Sequence, residues 1–386
     1  MTHRTILLAG LAWGLLSPAA LAQGPGPSSL LGDSYGSMTP RYQRCLRFKP
    51  GGSELDWART RDQFMRLRNI QDVAFRRVAD GIRVEVVEHP VTSLNPMVIP
   101  WIPPVGVEAL LQDWHVGGQY YDLRAFLGYN WSTLTIYDPA RLTPIRLGEL
   151  IHNYPEAALR WGMLVAPYTR LYLEGRAIDG TMVGDPAIAS GFGSMRGPAL
   201  TGSTFLRYDD ADDPDIPTDG NRAKLKWLVG PQALGNPADY QRVEAYYQRY
   251  WSLSEDGCLA FGANGGFGLG DLPLSQTFRV GSADYTRGYD ANRFVGNQFV
   301  ALSLEYRHVL WRNLLNSGLT LHGAAFTDVG RCWNAGAGVP FPQDVRPAAG
   351  VYGGLSLGNW YIGRLEAAMG TEGLVVHLGT GLPFPW

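Results

Sequence analysis

Three residues in the last third of the sequence, Arg287, Glu305 and Asp328, have the chemistry of a buried ionic cluster. A guanidinium carries its N–H donors in a rigid plane and can be shared by two carboxylates, so the trio suits a structural lock better than a reaction. Residues for catalysis are harder to assemble. One Gly-x-Ser-x-Gly exists, Gly32 to Gly36 with Ser34 at its centre, in a Gly-, Pro- and Ser-rich stretch. A nucleophile elbow needs a strand before it and a helix after it, and neither is present, so chance is the better reading. No His-Glu-x-x-His occurs. His89, His115, His152, His308, His322 and His377 are scattered and read as polar lumen or rim residues, with a Ser–His pair formed across strands left open.

The elements that carry the two carboxylates are strand-like. Gln298–Tyr306 has too many apolar residues for a half-wet strand, yet includes Glu305; Leu319–Phe326 is followed by Asp328. If these segments are neighbours in a barrel, both acids can point into the lumen. Arg287, on the loop just before them, is then the natural cation.

The set resembles the carboxy-terminal barrel of the BamA/TamA/FhaC superfamily of outer-membrane assembly and secretion proteins, also called the bacterial surface antigen family. In that family a long loop ending in Val/Ile-Arg-Gly-Phe/Tyr folds back into the barrel, and its arginine meets acids on later strands, one within Phe-x-Asp-x-Gly. Arg287, Gly288 and Tyr289 match the loop motif, with Thr286 in place of Val or Ile. Phe326, Asp328 and Gly330 match the strand motif, and Glu305 stands where the family has its other carboxylate. The plainer reading makes Arg287 a rim arginine and Asp328 a turn residue; three elements in the right order favour the lock.

Composition agrees with a membrane barrel. The 386 residues include 48 Gly, 12 Trp and 19 Tyr with 18% charged residues, which suits strands, tight turns and interfacial aromatics. A net charge of −2 gives no basis for nucleic-acid binding. Cys45, Cys258 and Cys332 lack metal-site spacing, so no metal or cofactor is expected, although one disulfide is possible. Residues 1–22 read as a secretory signal, with His3 and Arg4 before a short apolar core and Ala20-Leu21-Ala22 at the cleavage site. No other segment is apolar enough for a transmembrane helix, so the mature chain can cross a membrane only as a closed barrel.

Along the chain, residues 23–37 read as a flexible tether. Residues 38–90 hold a helical pattern over Ser53–Asn69, a strand at Val73–Val78, an Asp80-Gly81 turn and a strand at Ile82–Glu88. This resembles the second half of a POTRA domain, truncated; a small α+β cap with no binding role fits the residues equally well. Residues 91–107 read as a Pro-rich linker and 108–386 as the barrel. The residue pattern gives fourteen strand segments: 111–121, 129–138, 157–166, 167–178, 186–195, 200–208, 223–231, 241–252, 256–268, 296–309, 317–330, 346–357, 358–369 and 373–382. The resemblance implies sixteen, and a missed strand in 140–153 is allowed for. The fold expected is therefore all-β, a transmembrane antiparallel barrel of sixteen strands behind a small α+β segment.

Three further stretches carry expectations. Tyr208–Asn221, with six aspartates, does not have the glycine and closing glutamate of a calcium loop in place and reads as a solvated surface loop. Gly262–Gly270 is no phosphate cradle and points to close backbone packing against the inserted loop. Pro383 and Pro385, just before the terminal Trp386, should shorten pairing between the last and first strands, giving a weak C-terminal seam.

The function implied by the resemblance is insertion or translocation of proteins, or of lipids, at the outer membrane of a Gram-negative bacterium, without enzymatic activity. Its partners would be outer-membrane lipids and client outer-membrane or secreted proteins. A passive pore is the alternative, favoured by the short periplasmic module; an outer-membrane hydrolase comes third.

Overall fold

The computed structural model describes residues 57–379, apart from 67–69, 79–80, 89–90, 100–101, 117–118, 138–145, 167, 185–195, 214–215, 274–275, 282–284, 315–316, 335–344 and 358–359. The signal segment, the tether with Ser34, Cys45, the strand segment at 186–195, and Pro383, Pro385 and Trp386 lie outside the described residues.

Helix α1 (Trp57–Arg66) precedes an antiparallel hairpin of β1 (Ile70–Val78) and β2 (Gly81–Glu88), in the order the sequence predicts. Phe64 of α1 is fully buried, and both it and Trp57 pack edge-on against Phe75 of β1. Val73 and Val84 complete this small core, one from each strand.

The main sheet begins earlier than expected. β3 (Val91–Ile99) and β4 (Ile102–Val116) pair antiparallel across the stretch read as a linker, which corrects the boundary at 107. The prolines are compatible with this because of where they fall. Pro96 lies on β3, the terminal strand of the sheet, while Pro103 and Pro104 precede the first β4–β5 pair at Val105. Proline is tolerated at sheet edges and strand starts.

Twelve more strands extend the meander: β5 (Gln119–Tyr137), β6 (Arg146–Ala166), β7 (Thr169–Gly184), β8 (Arg196–Asp209), β9 (Gly220–Gly230), β10 (Tyr240–Ser252), β11 (Gly257–Gly270), β14 (Gln298–Leu314), β15 (Leu319–Trp333), β16 (Arg346–Leu357), β17 (Trp360–Gly370) and β18 (Gly373–Gly379). Between β11 and β14 the chain leaves the sheet for a two-stranded hairpin, β12 (Phe278–Val280) with β13 (Phe294–Gly296), which frames the Arg287 loop. The described residues thus place fourteen strands in the sheet, where the resemblance implies sixteen. Fourteen is also the number of segments in the residue pattern, but the two sets differ. The 111–121 segment straddles the β4–β5 turn, 129–138 is the second half of β5, and 140–153 holds the start of β6 rather than an extra strand.

Side-chain alternation shows which way the sheet faces. On β14, Leu302, Leu304 and Tyr306 are exposed while Glu305 and Arg307 are buried. On β7, Tyr172 and Glu174 are buried with Leu173 outside, and Arg170 meets Asp122 of β5 at 2.6 Å. Arg160 of β6 likewise meets Glu174 at 2.5 Å. Apolar side chains outside and ion pairs inside are the reverse of a water-soluble sandwich and the pattern of a transmembrane barrel. The Asp-rich β8–β9 connection, predicted as a solvated surface loop, instead has Asp210 and Asp213 buried and turns inward.

Candidate functional site

The β14–β15 register builds the site. Ser303 lies directly opposite Asp328, and Glu305 directly opposite Phe326. The two carboxylates are therefore diagonal neighbours on the inner face, at a spacing one long side chain can bridge. The next strand supplies room: Ala348 and Gly350 of β16 pair with Asp328 and Phe326.

Arg287 enters that space from the loop and is 1% exposed. Its Nε and Nη2 donate to the two oxygens of Asp328, each at 2.9 Å, and its backbone N–H donates to Asp328 Oδ2 at 3.0 Å. Nη1 donates to Glu305 Oε2 at 2.6 Å. The guanidinium stacks on Phe326, with Cζ 3.3 Å from the ring centroid. Every nitrogen of the group thus has an acceptor, as a buried charge requires.

Around this centre stand residues that motif reading missed. Ser303 accepts from Arg287 Nη2 at 3.1 Å and donates to Asp328 Oδ1 at 2.6 Å. Glu305 is shared: Arg307 Nε donates to its Oε1, and Tyr352 Oη donates there at 2.9 Å. Two residues along a strand from Glu305, Ser303 and Arg307 share its face, so strict alternation was the signal that could have found them. Arg293 of the loop forms a second ion pair, with Glu372 in the β17–β18 turn: its Nε donates to Oε2 at 2.8 Å, and its Nη2 lies 2.8 Å from Oε1.

Tyr289 is fully buried, and its hydroxyl donates to Pro347 O at 2.9 Å and lies 3.1 Å from Thr371 Oγ1. His377 Nε2 of β18 donates to Arg287 O at 2.8 Å. These anchors hold Thr286 at φ 56°, a conformation β-branched residues rarely adopt. Gly330 lies directly beneath Thr286, where a Cβ would strike its hydroxyl. Gly266 of the glycine-rich β11 lies against Phe278 at the base of the loop, the close packing the sequence pointed to.

Gly288 shows how closely the loop seats. A Cβ there would come within 2.6 Å of Ala348 Cβ and 2.8 Å of Gly370 N. Because the second obstacle is backbone, Gly288→Ala should lift the loop at a cost of about 1–3 kcal/mol. Limited proteolysis should then cleave within 281–293 faster than in the parent barrel; equal rates would show that the loop has slack there.

A cross-strand Ser–His pair does form: His322 Nε2 and Ser356 Oγ are 2.8 Å apart and buried. The charged groups acting on the imidazole are Arg307 and Arg312. Among the described residues, no orienting acid of the kind that makes such a pair a nucleophile and base forms an ion pair with it. Among the described residues, no group of three His, Cys, Asp or Glu side chains could hold a metal ion. The terminal prolines and Trp386 of the expected seam cannot be placed, since they lie outside the described residues.

Fold and site together define an antiparallel membrane barrel whose longest described connection is tied to the inner wall by a buried arginine. Residues 198–372, from β8 through Glu372, match the family model described as the Omp85 superfamily domain. The resemblance read from the loop and strand motifs is to this same group. The Outer membrane protein assembly factor BamA of Nitratidesulfovibrio vulgaris is 25% identical over 172 residues, covering 40% of this chain and 21% of that protein. The match thus spans about a fifth of that curated relative.

Among solved structures, BamA from Haemophilus ducreyi lacking POTRA domains 1–3 is similar at 13% identity and a TM-score of 0.46, covering 88% of this chain and 81% of that one. CdiB from Escherichia coli is similar at 14% identity and 0.49, covering 85% and 71%.

Proposed function

We propose that this chain is an integral outer-membrane barrel of a Gram-negative bacterium that acts in the insertion or translocation of other proteins. In this reading the Arg287 loop, locked on Glu305 and Asp328, sets the state of the lumen. The observation that carries it is the burial of Arg287 between two carboxylates on the inner wall. A buried cluster of this kind is a poor source of net stability compared with apolar packing, so a role in specifying one lumen state is its best physical rationale. The likeness to an outer-membrane protein assembly factor supports the direction of the reading.

The clients would be other outer-membrane or secreted proteins, the surrounding partners outer-membrane lipids, and the chemistry non-enzymatic. Residues 57–88, with α1 and the β1–β2 hairpin, would form part of a POTRA-like module on the periplasmic side, where an open strand edge can receive an extended peptide.

The test is depletion of the protein, with the outer-membrane proteome quantified beside a strain carrying Arg287→Ala. Loss of other barrels, or of one secreted protein, is expected in both strains. An unchanged proteome together with steady ion conductance in planar bilayers would overturn the assembly reading in favour of a passive pore.

A further inference from the structure

The connection between β8 and β9 does more than turn the chain. Its arms continue the hairpin inward, with Asp210 N–H donating to Asn221 O and Asp212 N–H to Asp219 O, both at 3.0 Å. Two of its described acids are satisfied within the connection. Asp212 accepts from the Thr218 N–H at 2.8 Å and hydroxyl at 2.7 Å, and Asp213 Oδ1 accepts from Ile216 N–H at 2.9 Å. Arg222 reaches back to Asp213 O at 3.0 Å and Asp209 Oδ1 at 3.2 Å.

The tip of the connection lies far from its own strands. Ile216 packs against a buried cluster of Ala324, Phe326, Tyr352, Tyr361 and Ala368 on β15, β16 and β17. Carbonyls of Pro217 and Thr218 lie 3.9 and 3.4 Å from Cys258 Sγ on β11. Three strands, β10, β11 and β14, separate β9 from β15 in the sheet. At roughly 4.8 Å per strand, the receiving wall begins about 19 Å round from β9. A turn that left the rim for solvent could not reach it, so the tip lies across the lumen.

Strand direction puts this connection at the opposite end of the barrel from the β11–β14 loop, yet both finish on the same residues. Phe326 carries the Arg287 guanidinium and also belongs to the cluster under Ile216. Tyr352, in that cluster, donates to Glu305, which binds Arg287. Glu305 also holds Arg307, whose guanidinium lies 5.5 Å from the Tyr250 ring, and Arg222 faces the same ring at 5.9 Å.

We propose that the connection between β8 and β9, through its residues 210–213 and 216–219, is a second plug of the lumen, inserted from the end opposite the Arg287 loop and seated on the same wall through Phe326 and Tyr352. Unseating either plug then loosens the other, because each stabilises one arrangement of the shared residues, and such coupling is reciprocal. The inference requires the barrel but not the assembly role, so it stands or falls separately from it.

Two cysteines of the chain serve as reporters. Cys258 is buried beneath the second plug, while Cys332 Sγ lies 3.6 Å from Phe278 O at the base of the Arg287 loop. Full-length barrels are refolded in detergent micelles with Cys45→Ser and one of these two cysteines also replaced by serine, then reacted with a charged maleimide. Folding is checked by heat-modifiable migration on gels.

Cys258 in the otherwise unaltered barrel should react far more slowly than in urea-unfolded chain. Ile216→Asp, which removes the apolar contact at the tip, should raise that rate at least about tenfold while the barrel stays folded. Arg287→Ala should raise labelling of Cys258 as well as of Cys332. Rapid labelling of Cys258 in the folded parent, or an unchanged rate in folded Ile216→Asp, would overturn the plug. A rise confined to Cys332 in Arg287→Ala would overturn the coupling. Should Ile216→Asp not fold, Ile216→Ala and the parent rate decide the matter in the same way.

Discussion

Arg287→Ala should destabilise the refolded barrel by about 3–5 kcal/mol, the usual result of removing one partner from a buried ionic group. The loss is uneven. Glu305 keeps Arg307 and Tyr352, whereas Asp328 gives up both guanidinium hydrogen bonds and retains only the backbone N–H at position 287 and the Ser303 hydroxyl. Most of the penalty therefore sits on Asp328, and Arg287→Ala/Asp328→Ala together should cost less than the sum of the single changes. Arg287→Lys keeps the charge but cannot span both carboxylates with a planar fork, so it should fall between parent and alanine.

Arg312→Ala is the control. Arg312 pairs with Asp256 at the surface, half exposed, and its loss should stay within about 1 kcal/mol. Urea unfolding of the barrels in lipid or detergent measures the set. If Arg287→Ala and Arg312→Ala unfold together, the buried cluster has no special weight.

The second large effect concerns the outer face. Leu304 lies between Ser303 and Glu305 in sequence but points to the other side of β14, 43% exposed in the absence of lipid. Leu304→Arg should cost about 2–4 kcal/mol if it sits near the bilayer midplane, as charged residues on the lipid face of barrels do. Trp311, toward the end of the same strand and 61% exposed, should tolerate Trp311→Arg at about 0–1 kcal/mol, because penalties fall toward the interface. Unfolding from bilayers gives both numbers. Equal costs at the two positions would mean that β14 does not cross the bilayer along its length.

The C-terminal half of the fold was legible because its strands are close to the length one crossing needs. The segments at 241–252 and 346–357 coincide with β10 and β16 to within a residue. The N-terminal half was not, for an equally physical reason. β5 and β6 run for 19 and 21 residues, about twice a single crossing, and β6 carries Pro155 in its interior. A template of ten residues that treats proline as a break divides such strands wrongly.

In the site, Arg287, Glu305 and Asp328 could be picked out because order and alternation both survive in one dimension. Arg293 with Glu372, and His377 with the Arg287 carbonyl, could not, since those partners are 79 and 90 residues apart and meet only through the turns of β15 to β18. The aspartates of 209–219 misled because acidic residues usually signal solvent. Here backbone N–H groups and Arg222 take the place of water.

The bonds from the Arg287 loop to Pro347, Thr371 and His377 also fix the order in which the molecule can be completed. They join residues 58, 82 and 90 positions apart, and their partners lie on β16, in the β17–β18 turn and on β18. Contacts so distant in sequence form late, because the intervening chain must first be ordered. β14 and β15 can pair and display their acids early, but the loop finds its full set of partners only once β16, β17 and β18 are in place. Seating of Arg287 is then a closing event in folding, and an incomplete barrel keeps its interior open until its final strand has arrived.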